Sequence, residues 1–355
     1  MKVLLLGEFS ALHKNLKEGL QRIGHEVVVA ASGDGFKKIP ADISFDATLP
    51  SLLGSLECRL KPLFLVGKMA GFDVVQLINP FIFSRCMFPA LYLYEKIVKH
   101  NNRFFILGAG DDAYFWRYAR KAMRYSPHDD FLKYDYKNQN FYMDSDRALR
   151  FNEQVVDLSR GVIPIMYEYE VGYESHKKRL PTIPIPINTD EIKFQENIAK
   201  KKLVVFHGLN RYGFKGTRHV ESAFEYLSKK YPKDLELIIN KQMPLSQYLD
   251  VMTRTNIVID QVNSYSLGVN GVYALAMGKV VMGGAEPESL SSLGVTSSPV
   301  INVIPNATSL IEEIEKLLDE KKELERLGLQ SRIFAENVHG YKKVAQQYID
   351  VWSAH

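Results

Sequence analysis

The sequence predicts an α/β protein built from two Rossmann-like domains, and three observations predict it. At 355 residues the chain is too long for one typical core and fits two domains of ordinary size. Short, nearly unbroken apolar runs alternate with segments of helical spacing in both halves, the pattern of parallel strands covered on both faces. Between the halves lies residues 180–188 (LPTIPIPIN), where Pro181, Pro184 and Pro186 punctuate an extended connection. Residues 1–182 are therefore read as the first domain, 183–202 as the linker and 203–338 as the second domain. Residues 339–355 are read as a last helix that returns to the first domain.

In the first half, residues 3–6 form a strand ending at Gly7. Residues 12–23 place Leu12, Leu16, Leu20 and Ile23 on one helical face, Gly24 stops that helix, and 26–31 (EVVVAA) is the next strand. Ligands of such sheets bind at the carboxyl ends of the strands, which singles out Gly7, Glu8, Phe9, Ser10 and His13. The loop has no GxGxxG, so a dinucleotide fingerprint is absent. Residues 74–78 and 104–107 are further strands. After the second come Asp111 and Asp112: adjacent carboxylates suit a metal, a general base or a helix cap, and Asp112 before residues 113–125 fits a cap. Residues 125–146 read as a long excursion or a small helical insertion, and 161–166 as a returning strand.

In the second half, 203–207 (LVVFH) is a strand and 208–215 (GLNRYGFK) a loop. A helix over 220–227, a strand over 235–239 and a short helix over 245–252 follow. Arg211 and Lys215 in that loop have the chemistry to grip a diphosphate, Arg as a bidentate fork and Lys as a point charge. Strand 256–259 opens the stretch 260–288 (DQVNSYSLGVNGVYALAMGKVVMGGAEPE), which reads as loop, helix and strand. A loop ending at Gly268 and feeding into a helix offers free backbone N–H groups at the positive end of a helix dipole, a good place for phosphate. The alternative is that Gly268 and Gly271 serve close packing of a buried helix. Residues 307–320, 322–327 and 342–352 complete the chain as helices.

Hydrophobic residues at 46% and charged residues at 24% describe a globular chain. No apolar run approaches the roughly 20 residues that span a bilayer, and MKVLLLG is short for a signal core, so a cytoplasmic location is expected. Cys58 and Cys86 lack metal-ligand spacing and read as thiols. The net charge of +4 lies entirely in residues 1–182, with 25 basic against 21 acidic residues, while residues 183–355 balance at 20 and 20. Within 115–137, Arg117, Arg120, Lys121, Arg124, Lys133 and Lys137 interleave with aromatic rings. That composition suits a solvated helical face, an anionic membrane or an acidic ligand, and the imbalance is too small for nucleic acid.

Gly208, Arg211, Lys215 and Gly216, with residues 185–190 (IPINTD) and 274–281 (ALAMGKVV), resemble the motifs of GT-B fold glycosyltransferases, in particular the family 4-like group. In that group the donor loop reads E-x7-E; here Tyr265 and Tyr273 stand at the two glutamate positions, the mark of a divergent bacterial branch. The resemblance implies two Rossmann-like domains with parallel sheets facing a central cleft. It also implies a transferase that moves a sugar from a nucleotide-sugar to a glycan or lipid-linked acceptor, with retention, without metal or other cofactor, in bacterial surface polysaccharide or glycan synthesis. On that reading Arg211 and Lys215 stabilise the leaving diphosphate, and Gly208, Tyr265, Ser266, Gly268, Val269, Asn270 and Tyr273 hold the donor. Glu8, Ser10, His13 and Asp111 face the acceptor, and residues 115–137 touch the inner face of a membrane. The absent glutamates keep two other readings open, a non-catalytic sugar-nucleotide or glycan-binding protein and a sugar-nucleotide epimerase.

Overall fold

The chain alternates strand and helix over almost its whole length, as its hydrophobic periods require. A computed structural model describes residues 1–134, 136, 141–209, 211–241 and 245–355. In order, the elements are β1 (Lys2–Leu6), α1 (Leu12–Arg22), β2 (Glu26–Ala31), β3 (Ile43–Ser44), α2 (Ser51–Leu65), β4 (Val74–Leu77), α3 (Ala90–Lys99) and β5 (Arg103–Gly108). A π-turn over Phe115–Ala119 runs into α4 (Arg120–Ala122), followed by α5 (Asp129–Lys133), α6 (Asp146–Leu158), β6 (Gly161–Pro164) and α7 (Tyr167–Gly172). Then come β7 (Leu203–Leu209), α8 (Thr217–Lys230), β8 (Leu235–Lys241), α9 (Leu245–Arg254), β9 (Ile257–Ile259) and α10 (Val269–Ala276). The chain closes with β10 (Val280–Gly283), α11 (Pro287–Ser292), β11 (Ile301–Asn302), α12 (Ala307–Asp319), α13 (Glu323–His339) and α14 (Tyr341–Ala354).

Two units result. The first comprises Met1–Ala122, Phe141–Pro186 and Tyr341–His355, and the second Met123–Asn140 and Ile187–Gly340. The first carries a six-stranded parallel sheet in the order β3-β2-β1-β4-β5-β6. Its core includes Leu4, Leu6, Val75, Leu77, Phe104 and Ile106, all nearly or fully inaccessible. The second carries a five-stranded parallel sheet, β11-β10-β9-β7-β8. In both sheets the strand order reverses direction once, between β1 and β4 and between β7 and β9, and the carboxyl ends at such a reversal form the usual ligand crevice.

Helix α14 belongs to the first unit and packs on α1. Trp352 near its end is fully buried, and its indole N–H donates to the Gln76 side-chain oxygen on β4 at 2.9 Å. Three differences from the sequence reading have physical causes. Residues 123–140 cluster with the second unit rather than the first, through ion pairs described below. Residues 187–202 are part of the second unit's body rather than a free linker. There, Ile187 N–H donates to the His339 carbonyl, Asn197 and Asn256 bond side chain to side chain, and Arg332 donates to the carbonyls of Thr189, Ile192 and Ala276. The helix expected over 322–327 runs on to His339, because Gly328 lies against α10's end: a Cβ there would come within 2.4 Å of the Gly278 carbonyl oxygen.

Candidate functional site

The second unit's crevice is built where β7 and β9 end. β7 delivers Gly208, and the following loop delivers Arg211 and Lys215; β9 ends beside Asp260, which is completely buried. Asp260 joins the two. Its Oδ1 lies 2.9 Å from Lys215 Nζ, and its Oδ2 accepts the Gly268 backbone N–H at 2.8 Å. The Val262 N–H donates to the Lys215 carbonyl at 2.9 Å, closing the loop against the β9 end. The cationic loop and the start of α10 are thus one structure. The arrangement also modifies the sequence reading. Gly268 N–H serves Asp260 and not a ligand, so the donors α10 offers at its first turn begin with Val269, Asn270 and Gly271.

Asn270 adds a side-chain donor. Its Oδ1 accepts the Tyr248 hydroxyl, whereas its Nδ2 is buried with no hydrogen-bond partner among the described residues and lies 3.8 Å from where a Cβ on Gly208 would stand. Tyr273 is half-buried, its ring 6.3 Å from that of Tyr248. Behind the cationic loop, His207 is fully buried and bonded on both ring nitrogens: Nδ1 to the Ile259 carbonyl at 2.9 Å and Nε2 to Thr217 Oγ1 at 3.0 Å. A carbonyl only accepts, so Nδ1 carries the proton and Nε2 accepts the Thr217 hydroxyl. Burial, with the Lys215 charge adding to it, pushes this imidazole down to about 4. It is a neutral brace that fixes the start of α8.

The N-terminus of α8 is the second helix end at the crevice. Gly216, its cap, has φ 71°, and a Cβ there would fall 2.6 Å from Asn263 Oδ1, so only glycine fits. Residues 123–134 and Tyr136 lie over this end. Asp130 accepts from Asn263 Nδ2 at 3.1 Å and lies 4.0 Å from the Arg218 guanidinium, which stacks on Tyr134. The Arg211 guanidinium stacks on Phe214 at 3.9 Å, and a Cβ on Gly213 would meet the Tyr136 ring at 2.7 Å.

Tyr265 and Ser266, expected to touch the donor, are engaged elsewhere. Tyr265 is buried: its hydroxyl accepts the Arg124 backbone N–H at 2.8 Å, and its ring packs against Tyr125. Ser266 Oγ pairs with Ser289 Oγ of α11 at 2.8 Å. Arg124 bridges Glu286 and Glu288, both at 2.6 Å, and the Tyr125 hydroxyl donates to Glu286. Within 115–137, the stretch expected to meet a membrane, several side chains have protein partners. Phe115 and Trp116 are buried, Arg117 pairs with Asp146, Arg120 stacks on Trp116 and Arg124 is held by two carboxylates. Lys137 lies outside the described residues.

In the first unit, Glu8 and Ser10 lie on the β1–α1 loop and His13 in the first turn of α1. Gly7, Ser10 and Ala11 all have positive φ, a strained run held by Ser10 N–H donating to Asp34 and by Lys37 donating to Ser10 Oγ. The buried Glu8 carboxylate accepts the N–H groups of Lys14 and His13, capping α1, and desolvation raises it to about 7 against those hydrogen bonds. His13 is fully buried: Nδ1 donates to the Gly7 carbonyl at 2.6 Å, Nε2 has no partner among the described residues, and burial lowers the ring to about 4. Asp111 accepts through its carbonyl from Asn79 and Tyr142. Asp112 is the cap: Oδ1 accepts the Phe115 N–H, Oδ2 the Tyr173 hydroxyl, and burial raises it to about 6. Among the described residues no group of three His, Cys, Asp or Glu is placed to hold a metal ion.

Sequence reasoning noted Asn263 only as one of several polar loop residues and passed over Asp260, His207 and Tyr248. Asp260 carried a signal, a lone acid at the carboxyl end of a buried strand; the others reach the site through contacts that no local pattern announces.

No protein-family model matches the sequence, and no curated protein matches it. Solved structures do resemble it. Sucrose-phosphate synthase from Thermosynechococcus elongatus is 12% identical over 100% of both chains, with a TM-score of 0.63. HepE from Anabaena, solved in complex with UDP and glucose, is 12% identical over 100% of both chains, with a TM-score of 0.64. The UDP-GlcNAc 2-epimerase from Neisseria meningitidis, bound to UDP-GlcNAc, is 15% identical over 100% of both chains, with a TM-score of 0.55. The likeness shows the fold, which is GT-B.

Proposed function

We propose that this chain is a glycosyltransferase that moves a sugar from a nucleotide-sugar donor to a glycan or lipid-linked acceptor in bacterial surface polysaccharide or glycan synthesis. The observation that carries the reading is Asp260. By binding Lys215 through one oxygen and Gly268 N–H through the other, it sets the cationic loop and the α10 N-terminus around one crevice. Binding of UDP and UDP-glucose by the similar HepE structures supports a nucleoside diphosphate as the occupant.

The chemistry follows from charge. When the bond from the anomeric carbon to the diphosphate breaks, negative charge grows on the β-phosphate, and donors already aimed at that position lower the barrier. Lys215 is paired with Asp260, so that pair supplies position more than net charge. The stabilising groups are Arg211, the first N–H groups of α10, and Asn270 Nδ2. These can do without a divalent cation what a metal does in other transferases. Retention follows if the acceptor hydroxyl attacks the face the diphosphate leaves and gives its proton to the departing phosphate oxygen. Tyr273 and Tyr248 line the approach to Asn270 where the family's ribose-binding glutamate would stand; Tyr265 has a structural role instead. On the acceptor side, His13 Nε2, without a partner among the described residues, is a lone pair for an acceptor hydroxyl, with Glu8 and Ser10 on the preceding β1–α1 loop and Asp111 on the loop after β5.

The test is incubation of the purified protein with UDP-, GDP- and ADP-sugars, with and without EDTA, followed by chromatography of the sugar nucleotides. Donor consumption that releases the nucleoside diphosphate and survives EDTA supports the reading. Likeness to the Neisseria epimerase structure and the two absent glutamates favour one alternative, an epimerase, which would convert one sugar nucleotide to another with no release. Binding with neither outcome would mark a non-catalytic sugar-nucleotide-binding protein.

A further inference from the structure

Residues 123–134 and Tyr136 come between α4 and α6 in the chain, yet they group with the second unit and grip it at two places. At the first, the Arg124 backbone N–H donates to the Tyr265 hydroxyl, and the Arg124 guanidinium lies 4.9 Å over that ring while pairing with Glu286 and Glu288. The Tyr125 hydroxyl donates to the same Glu286. At the second, Asp130 accepts from Asn263, and Tyr134 stacks on Arg218 at 4.2 Å. Phe131 lies 5.9 Å from the Arg211 guanidinium, and the Tyr136 ring meets Tyr212 at 5.1 Å and lies against Gly213. Asn263 stands on the loop between β9 and α10, against Gly216. The second grip therefore closes over the turn that carries Arg211 and Lys215.

This grip differs from a finished core contact in two ways. Beneath it, Arg218 Nε, Asn263 Oδ1 and the Tyr136 hydroxyl are buried with no hydrogen-bond partner among the described residues. Native contacts satisfy such atoms, so leaving several unmet makes the docked arrangement costly to hold. At the other end the Arg124 side chain is 57% exposed, and ion pairs at that exposure contribute little. The segment also brings an acid. Asp130 is buried with its Oδ1 4.0 Å from the Arg218 guanidinium, in a crevice whose proposed occupant is itself anionic. Like charges in a partly desolvated crevice oppose one another. We propose that this segment is a built-in competitor of the diphosphate: docked, Asp130 offsets the cationic end of the crevice and Phe131 covers Arg211, and an arriving diphosphate lifts the segment from the 211–218 turn. The inference rests on the reading of a diphosphate site and adds the regulation of that site.

Calorimetric titration of UDP, GDP and ADP in turn into the full wild-type chain, Asp130→Asn and Arg124→Gln tests this. Asp130→Asn keeps an oxygen for Asn263 and removes the charge. Arg124→Gln acts at an exposed side chain on the other grip and reaches the same release by a second route. Each variant is expected to bind whichever nucleotide the wild type binds about threefold more tightly or better. Tryptic cleavage after exposed Lys133, read by mass spectrometry, follows the segment itself. In the wild type the bound nucleotide is expected to speed that cleavage, and without nucleotide both variants are expected to be cut faster than the wild type. Equal or weaker binding by Asp130→Asn, or a nucleotide that slows the cleavage, would overturn the proposal and leave the segment as a fixed wall of the crevice. Nucleotide bound by none of the proteins would remove the donor reading and the proposal with it, whereas equal binding by all of them would remove the proposal alone.

Discussion

Lys215 Nζ and Asp260 Oδ1 are 2.9 Å apart, with the carboxylate fully buried and its other oxygen on the Gly268 N–H. Removing one partner strands a charge, while replacing both does not. Lys215→Met is expected to cost about 3–5 kcal/mol, the usual penalty for an uncompensated buried carboxylate, and Lys215→Met with Asp260→Asn to recover most of it. Urea denaturation of the four proteins measures the coupling. A loss in the double variant equal to the sum of the two single losses would show that the pair is not energetically linked.

Trp352 is the anchor of α14. Trp352→Ala is expected to cost about 3–5 kcal/mol as a core cavity. Trp352→Phe leaves the Gln76 oxygen without its donor, at about 1–3 kcal/mol. Thermal unfolding that is unmoved by the alanine variant would contradict the buried placement.

The titrating groups oppose one another. Glu8 is raised to about 7, so it binds its proton more tightly folded than unfolded; its contribution is complete below about pH 4.5 and is lost as pH climbs toward 7. His207 is lowered to about 4, so its contribution is complete above about 6.5 and is lost as pH falls toward 4. Glu8→Gln is therefore expected to gain stability at pH 8 relative to pH 5 when compared with wild type, and His207→Gln to lose less than wild type on acidification. Denaturation midpoints at both pH values decide it, and an unchanged pH dependence in both would refute the assignments.

Much of the fold was legible. β1, β2, β4, β5, β7 and β10 are apolar runs of strand length, too short for a helix, and Pro184 and Pro186 fall where the chain passes between units. β3 and β11 escaped because two residues carry no period. The excursion was read over 125–146 and left in the first domain, and the grouping of Met123–Asn140 with the second unit escaped for another reason. Its fate depends on Arg124 meeting Glu286, 162 residues away in sequence, and spacing cannot express such a contact. The same holds for Tyr265: its place at a motif position suggested a ligand contact, but Arg124 and Tyr125 bury it. Gly268, Asn270 and Lys215 were singled out because helix starts and strand ends concentrate donors and cations by geometry that local sequence does encode.

The most direct test is calorimetric titration of UDP, GDP and ADP into the wild type and into Asn270→Asp. A carboxylate at that position favours the α10 N-terminus, so the variant should melt no lower than wild type. If a diphosphate sits on that helix end, the new charge repels it, and affinity for whichever nucleotide binds the wild type is expected to fall at least about tenfold, or about 1.4 kcal/mol. Equal affinity in both proteins, or no nucleoside diphosphate bound by the wild type, would contradict a donor site on the Lys215 loop and α10.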